Sequence, residues 1–243
     1  MSDDRSTILD SIRSSLAKAA VARHATDVHG SPPAIAAPPP TEESPMSPED
    51  GDAMAPNRAI AEFQAALDRV QGVCHRVTSD AGAADALQAL TADLGVSRVV
   101  RSDDSLVIDI LERVIGGFEL LPPDVARSAI LECELGASRA TLGVVEYGTI
   151  VLTSGDAEGR DGPPTERQRL VALVPETHVA ILAATDLVAT WDAALSTLHS
   201  TAKGLPPTTT FATGPSRTAD IELELVLGVH GPKNQHVILL EHR

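Results

Sequence analysis

Two short segments of this chain combine residues that could do chemistry with apolar runs that look like strands. In the first, Glu146 and the chain's only tyrosine, Tyr147, stand between the apolar runs 142–145 and 150–152. Gly148 follows them and lets the backbone end or bend there. A carboxylate partly buried at the end of such a strand would suit a nucleophile or a general acid or base. A solvent-facing turn is the alternative, and the spacing leaves both open.

The second segment, "FATGPSRTADIE", predicts an anion-binding loop. A strand-like run leads into Gly214 and is followed by Ser216, Arg217 and Thr218, which precede an apparently helical pattern. The free N–H groups at the start of a helix attract anions, and the guanidinium adds bidentate reach toward a carboxylate or phosphate. The alternative is ordinary helix capping, with Arg217 paired to an acidic residue three or five positions further on.

The third segment, "GVHGPKNQH", places His230 between two glycines, which predicts a tight turn. His230 would orient a substrate oxygen there, or it is a loop histidine that the backbone satisfies. His230 and His236 lack a metal-ligand spacing and have no acidic residue nearby, so no metal site is predicted. The polar loop 154–167 is either a mobile lid or an insertion. Phosphate-binding glycine loops and nucleophile elbows are absent from the sequence.

Helical and strand-like patterns alternate through the carboxyl-terminal three quarters of the chain. Helices are predicted at 58–70, 80–95, 104–117, 122–136, 186–200 and 217–228. Strands are predicted at 72–78, 97–101, 142–145, 150–152, 178–184, 208–214 and 236–242. This alternation predicts an α/β fold with a mostly parallel sheet and helices on both faces.

Composition excludes several classes of function. The chain has 34 acidic and 19 basic residues and a formal net charge of −15, which argues against nucleic acid as a partner. It has no apolar run of the ~18 residues that a membrane span needs. Its acidic amino terminus does not resemble a secretory signal, so a cytoplasmic location is predicted. Cys74 and Cys133 are predicted to be free thiols, since a structural zinc or iron–sulfur site needs about four ligands.

Three regions are predicted along the chain. Residues 1–23 carry apolar side chains about one turn apart and form an amphipathic helix. Residues 24–57 are rich in proline and poor in large apolar side chains, as in a disordered linker. Residues 58–243 form the α/β domain.

The segments "VVEYGTIVLTSG", "LVALVPETHVAIL", "FATGPSRTADIE", "LVLGVHGP" and "HVILL", in this order, resemble the LUD-domain family, specifically its lactate utilization protein C and YkgG members. The resemblance implies a NagB/RpiA/CoA-transferase-like, Rossmann-like fold. It also implies a subunit of a cytosolic complex that oxidises L-lactate to pyruvate with iron–sulfur partner proteins, the clusters lying in those partners. The chain departs from the family's "ETGT" at Tyr147, and its polar loop 154–167 is longer than usual.

A set of candidate site residues follows from these segments. Glu146 is the catalytic candidate, and the residues expected to bind a small carboxylate or another anion are Gly148, Thr149, Gly214, Ser216, Arg217, Thr218 and His230. One alternative is a stand-alone enzyme on CoA esters or sugar phosphates that uses Glu146 as nucleophile or base. Another is a scaffolding module whose amino-terminal helix docks on a partner protein.

Overall fold

A computed structural model describes residues 55–154, 166–200, 206, 208–219, 225–227 and 230–243, all within one structural unit, Asp52–Arg243. The helices are α1 (Pro56–Arg69), α2 (Asp80–Asp93), α3 (Ser105–Leu111), α4 (Arg127–Leu131), α5 (Glu166–Leu173) and α6 (Trp191–His199). The strands are β1 (Val73–Val77), β2 (Arg98–Arg101), β3 (Glu119–Leu121), β4 (Leu135–Arg139), β5 (Leu142–Val144), β6 (Thr149–Ser154), β7 (Thr177–Ala183), β8 (Leu187–Val188), β9 (Thr208–Ala212), β10 (Arg217–Ala219), β11 (Leu225–Leu227) and β12 (Asn234–Leu240).

A six-stranded sheet in the order β1-β12-β7-β4-β2-β3 forms the centre of the fold. Every pair of neighbouring strands in it is parallel. Strand β7 lies in the middle, and all of its residues are buried. A strand covered on both faces is the usual element of a parallel sheet. The predicted α/β fold with a mostly parallel sheet is confirmed.

The two faces of this sheet pack against different layers, because neighbouring residues of a strand point to opposite sides. Val179 and Ile181 of β7 contribute to the core beneath α2 and α3. Ala180 and Leu182 contribute to the core on the opposite face, where α1 packs with Ile60, Phe63 and Leu67. Those three α1 residues recur at helical spacing, as the sequence predicts. Helices therefore cover both faces.

A smaller, four-stranded sheet in the order β8-β5-β6-β9 lies on the α1 side. Strands β5 and β6, which correspond to the two strands predicted on either side of Glu146, form an antiparallel hairpin, and β9 pairs antiparallel with β6. Ile150 faces the core shared with α1 and the large sheet. Val144 and Val151 face the other way and pack beneath Ala194 and Leu198 of α6. This second sheet is what brings β9, and the loop after it, to the end of α1.

The helix predicted at 122–136 is wrong. Only α4, Arg127–Leu131, is helical there, and β4 begins at Leu135. Strand β4 carries small residues because α5 crosses it closely: a Cβ added to Gly136 would collide with the Val171 carbonyl oxygen. Its sequence therefore lacks the β-branched signal of a strand, and strand β3 was not predicted either.

The helix predicted at 217–228 is also wrong, since Arg217–Ala219 and Leu225–Leu227 form the antiparallel hairpin β10–β11. The apolar residues of "ADIELELVLG" recur at every second position, which is strand periodicity. The helix predicted at 186–200 starts only at Trp191, where the Thr190 hydroxyl accepts a hydrogen bond from the Ala193 N–H.

The predicted amino-terminal helix, the proline-rich segment up to residue 54 and most of the polar loop 154–167 lie outside the described residues. None of the helices that the structure describes is long and apolar enough to cross a membrane.

Candidate functional site

The segments around Gly148 and Gly214 both pack against the carboxyl-terminal end of helix α1. Gly148 has a left-handed backbone, φ 63°, and a Cβ there would collide with the backbone of Leu67. Gly214 also has a positive φ, 74°, and a Cβ there would collide with the Val70 carbonyl oxygen. A side chain is disfavoured at each position both by its dihedral angles and by the approach of the helix. The structure thus brings together two motifs that lie far apart in sequence.

Hydrogen bonds hold three loops around this helix end. The hydroxyl groups of Thr149 and Thr213 lie 2.8 Å apart and share a hydrogen bond, which joins the first residue of β6, directly after the β5–β6 turn, to the loop after β9. The Ser216 N–H donates to the Pro232 carbonyl oxygen at 2.8 Å, which ties that second loop to the segment before β12. Thr149 is fully buried. The candidate residues Gly148, Thr149, Gly214 and Ser216 therefore belong to one assembled region.

Arg217 contacts the end of α1. Its guanidinium Nη2 donates to the Val70 carbonyl oxygen at 3.0 Å. Carbonyl groups at the end of a helix lack partners within the helix and favour a cation. Because Arg217–Ala219 is a strand, the expected anion site at a helix amino terminus does not exist here. Thr218 lies on the same strand, opposite Val226.

Glu146 lies on the one-turn 3-10 helix Val145–Tyr147, and its side chain is exposed. A hydrogen bond to the Glu146 carboxylate raises the pKa of the Tyr147 hydroxyl. Glu146 is not among the residues that line the cavity described next, so the structure does not bring it together with Arg217 and His230. The geometry gives no support to Glu146 as a nucleophile in that cavity.

A cavity of about 470 Å³ opens between the large sheet, α5, β9 and the loops that follow β9 and precede β12. Gly214, Ser216, Arg217 and His230 all line it, so four candidate residues from two separate motifs share one cavity. The large sheet contributes side chains from the amino-terminal ends of β7 and β12, namely His178 and Gln235. The predicted anion-binding loop that starts at Gly214 follows the carboxyl end of β9, in the smaller sheet.

His178 is a buried, uncharged base at the cavity wall. It is 1% exposed, and its Nε2 shares a hydrogen bond of 2.8 Å with the Ser138 hydroxyl. Burial, and then the neighbouring His236, lower the pKa of His178 to about 4, because desolvation disfavours the imidazolium. On the opposite face of the sheet, His236 stacks on His75 with ring centroids 5.3 Å apart. His178 is therefore neutral at physiological pH.

Gln235 lies beside His178 in the parallel register of β12 and β7. It is 2% exposed, and neither its amide nitrogen nor its amide oxygen has a hydrogen-bond partner. Buried polar groups are nearly always paired, so an unpaired amide next to a cavity is a candidate for contact with a bound molecule. Sequence reasoning missed both residues. The available signal was a polar residue near the start of two otherwise apolar strands, "THVAILA" and "NQHVILL".

The electrostatics of the lining favour an anion or a neutral polar molecule. Arg217 supplies a positive charge, and no carboxylate occurs among the lining residues that the structure describes. Within the described ranges no group of three or more His, Cys, Asp or Glu side chains could hold a metal ion. Both cysteines are free, as predicted, and burial raises the pKa of Cys74 to about 12 and raises that of Cys133 as well. Neither thiol is therefore disposed to act as a thiolate.

The fold and the assembled motifs define a member of the LUD-domain family: the LUD domain model matches residues 60–240, and the chain belongs to this family. Among its relatives, lactate utilization protein C of Geobacillus sp. (strain WCH70) is 35% identical over 115 residues, which cover 46% of this chain and 44% of that protein. The uncharacterized protein YkgG of Escherichia coli (strain K12) is 31% identical over 194 residues, 76% of this chain and 80% of YkgG.

The match to the first lactate utilization relatives is partial, since it spans less than half the length of those proteins. Among solved structures, a DUF162 family protein from Deinococcus radiodurans superposes with a TM-score of 0.56 at 16% identity. That comparison covers 77% of this chain and 99% of the other. It supports the fold.

Proposed function

We propose that this chain is a lactate utilization protein C-like subunit of a cytoplasmic complex that oxidises L-lactate to pyruvate together with iron–sulfur partner proteins. The observation that carries the proposal is membership of the LUD-domain family with several relatives named lactate utilization protein C. Those names state only a role in lactate utilization, and the complex, the oxidation reaction and the iron–sulfur partners are our additions.

The chain's own residues suit a binding role better than a redox role. Two cysteines cannot hold an iron–sulfur cluster, and both thiols have raised pKa values. In this proposal the electrons that leave lactate pass to clusters in the partner subunits. This chain contributes the cavity, where Arg217 attracts the carboxylate and Ser216 and His230 lie within the same lining.

The other candidate residues have supporting roles in the proposal. Gly148, Thr149 and Gly214 fix the loops that form the cavity by docking them on α1 and on each other. Glu146 lies on an exposed turn outside the cavity. In the assembly such a turn is available to a partner surface, whereas it is poorly placed to act on a ligand in the cavity.

Affinity purification from the native cells tests the proposal. The tagged full chain is recovered from cells grown on lactate, the co-purifying proteins are identified, and lactate-dependent reduction of a dye is measured. We expect cysteine-rich iron–sulfur partners and an activity that the isolated chain lacks. An untagged culture controls for adventitious recovery. A chain that comes out alone and inactive toward lactate would refute the proposal, and activity of the isolated chain on acyl-CoAs or sugar phosphates would favour the stand-alone enzyme.

A further inference from the structure

The unpaired amide of Gln235 needs an external partner. Its Nε2 and Oε1 are buried without a hydrogen bond, while the residue borders a cavity of about 470 Å³. A buried polar group without a partner costs stability and persists where a function requires it. Ser102 also has a buried unpaired hydroxyl, but it does not line the cavity. Among the described residues, Gln235 is therefore where a buried unpaired polar group borders this cavity.

The chemistry of an amide specifies the kind of ligand. Nε2 donates and Oε1 accepts, so full pairing requires a molecule with an acceptor next to a donor. A 2-hydroxycarboxylate has this arrangement, since a carboxylate oxygen can accept from Nε2 while the 2-hydroxyl donates to Oε1. A simple carboxylate or a 2-oxo acid offers only acceptors and leaves Oε1 unpaired.

We propose that Gln235 is the specificity-determining residue of a 2-hydroxycarboxylate site in this cavity, an inference that rests on the proposed function because it names the group that recognises lactate. The amide atoms are covered in the free protein, so the side chain turns about its own torsions to meet the ligand. Arg217, which is exposed and lines the same cavity, supplies the positive charge for the carboxylate.

The residues next to Gln235 favour recognition by hydrogen bonding, which complements the positive charge that Arg217 supplies. His178 is opposite Gln235 in the strand register and is neutral, with its Nε2 engaged by Ser138. No described lining residue carries a carboxylate that would repel the ligand. Pyruvate has a carbonyl where lactate has its hydroxyl, so it would leave Oε1 without a donor and would bind to this site more weakly than lactate.

Binding measurements on the full-length chain test the inference. The probes are L-lactate, propionate, which lacks the hydroxyl, and pyruvate, and binding is followed by calorimetry and by the rise in melting temperature. We expect L-lactate to bind about tenfold or more tightly than either of the other two, since a site built to pair a hydroxyl rejects analogues that lack it. Equal affinity for all three, or no lactate-specific shift, would overturn the inference.

Gln235→Met keeps the length of the side chain and removes both polar atoms. We expect this variant to fold, to melt at a higher temperature than the parent and to lose the preference for lactate over propionate. Gln235→Leu also removes both polar atoms, in a branched side chain, and should lose the same preference for lactate over propionate. Gln88→Met, the same change on the exposed surface of α2, is the matched control and leaves both properties unchanged. An unaltered lactate preference in both Gln235 variants would overturn the inference.

Two results separate this inference from the proposed function. If the purified assembly reduces the dye with lactate but Gln235→Met leaves its KM for lactate unchanged, the subunit role stands and the role of Gln235 is wrong. If the isolated chain binds lactate through Gln235 but recovers no iron–sulfur partner, the site stands and the subunit role is wrong.

Discussion

Replacing Gly148 by alanine tests whether the Glu146–Thr149 motif serves to dock the β5–β6 turn on α1. In the structure Gly148 has φ 63°, and an added Cβ would collide with the backbone of Leu67 and Ala66. Backbone atoms of a packed helix cannot move aside as a flexible side chain can. The substitution should therefore separate the turn from the helix or displace the helix end.

The structure contains a matched control for this substitution. Gly95 has nearly the same dihedral, φ 61°, but nothing lies within 4 Å of a Cβ added there. Both alanine variants incur the left-handed backbone penalty of about 1–2 kcal/mol, and both gain similarly from a stiffer unfolded chain. Gly148→Ala alone adds the overpacking penalty, about 1–3 kcal/mol. The difference between the two variants isolates the contact with α1.

Urea unfolding of the two variants measures the difference. We expect Gly148→Ala to lower the free energy of unfolding about 1–3 kcal/mol more than Gly95→Ala does. It should also reduce ligand binding in the cavity, because the Thr149–Thr213 hydrogen bond depends on the turn. Equal destabilisation by the two substitutions would refute the idea that close packing on α1 requires the motif glycine.

Three further predictions follow from individual side chains. Gln235→Met should raise the free energy of unfolding of the ligand-free protein by about 1–3 kcal/mol, because it removes an unpaired buried amide; no gain in urea unfolding would mean that the amide is satisfied in solution. The pKa of His178 is about 4 in the folded protein, below the value of 6.5 in the unfolded chain. Neutral His178 therefore contributes roughly 3 kcal/mol to the free energy of unfolding above pH 6.5, and this contribution is lost as the pH falls toward 4. Urea unfolding across this range should show a shallower pH dependence in His178→Gln, and an unchanged slope would contradict the assignment. Glu146→Gln should change stability by less than about 0.5 kcal/mol, as for other exposed positions; a larger loss in thermal unfolding would show that the hydrogen bond between the Tyr147 hydroxyl and the Glu146 carboxylate stabilises the turn.

The architecture was largely predictable from the sequence because hydrophobic periodicity depends on local geometry. The helical spacing of Ile60, Phe63 and Leu67 reflects a helix with one buried face. The mostly apolar run of β7 reflects a strand that is buried on both faces. Predictions from local sequence pattern were wrong where a tertiary contact restricts which residues fit. Strand β4 carries Gly136 and Ser138 because α5 passes close above it, and this small-residue pattern was interpreted as part of a helix.

The candidate site divides in the same way. The sequence indicated that Gly148, Gly214 and the segment around His230 matter, because glycine next to polar residues marks backbone that needs special dihedrals or close approach. The sequence did not indicate which part of the protein lies against these glycines. The structure shows that the end of α1 lies against Gly148 and Gly214, and that Arg217 donates a hydrogen bond to the same helix end.

The sequence by itself determined the fold class, the free cysteines and the motifs that carry the family resemblance. Only the tertiary structure decided which residues share a cavity. Gln235 and His178 become neighbours through the parallel register of β12 and β7, strands that are separated by residues 184–233 of the chain. Glu146, although close to a family glycine, is exposed and does not line this cavity. Which residues lie side by side in a sheet depends on strand order and register, and these depend on how the whole chain packs. A sequence motif contains only residues that are close together along the chain.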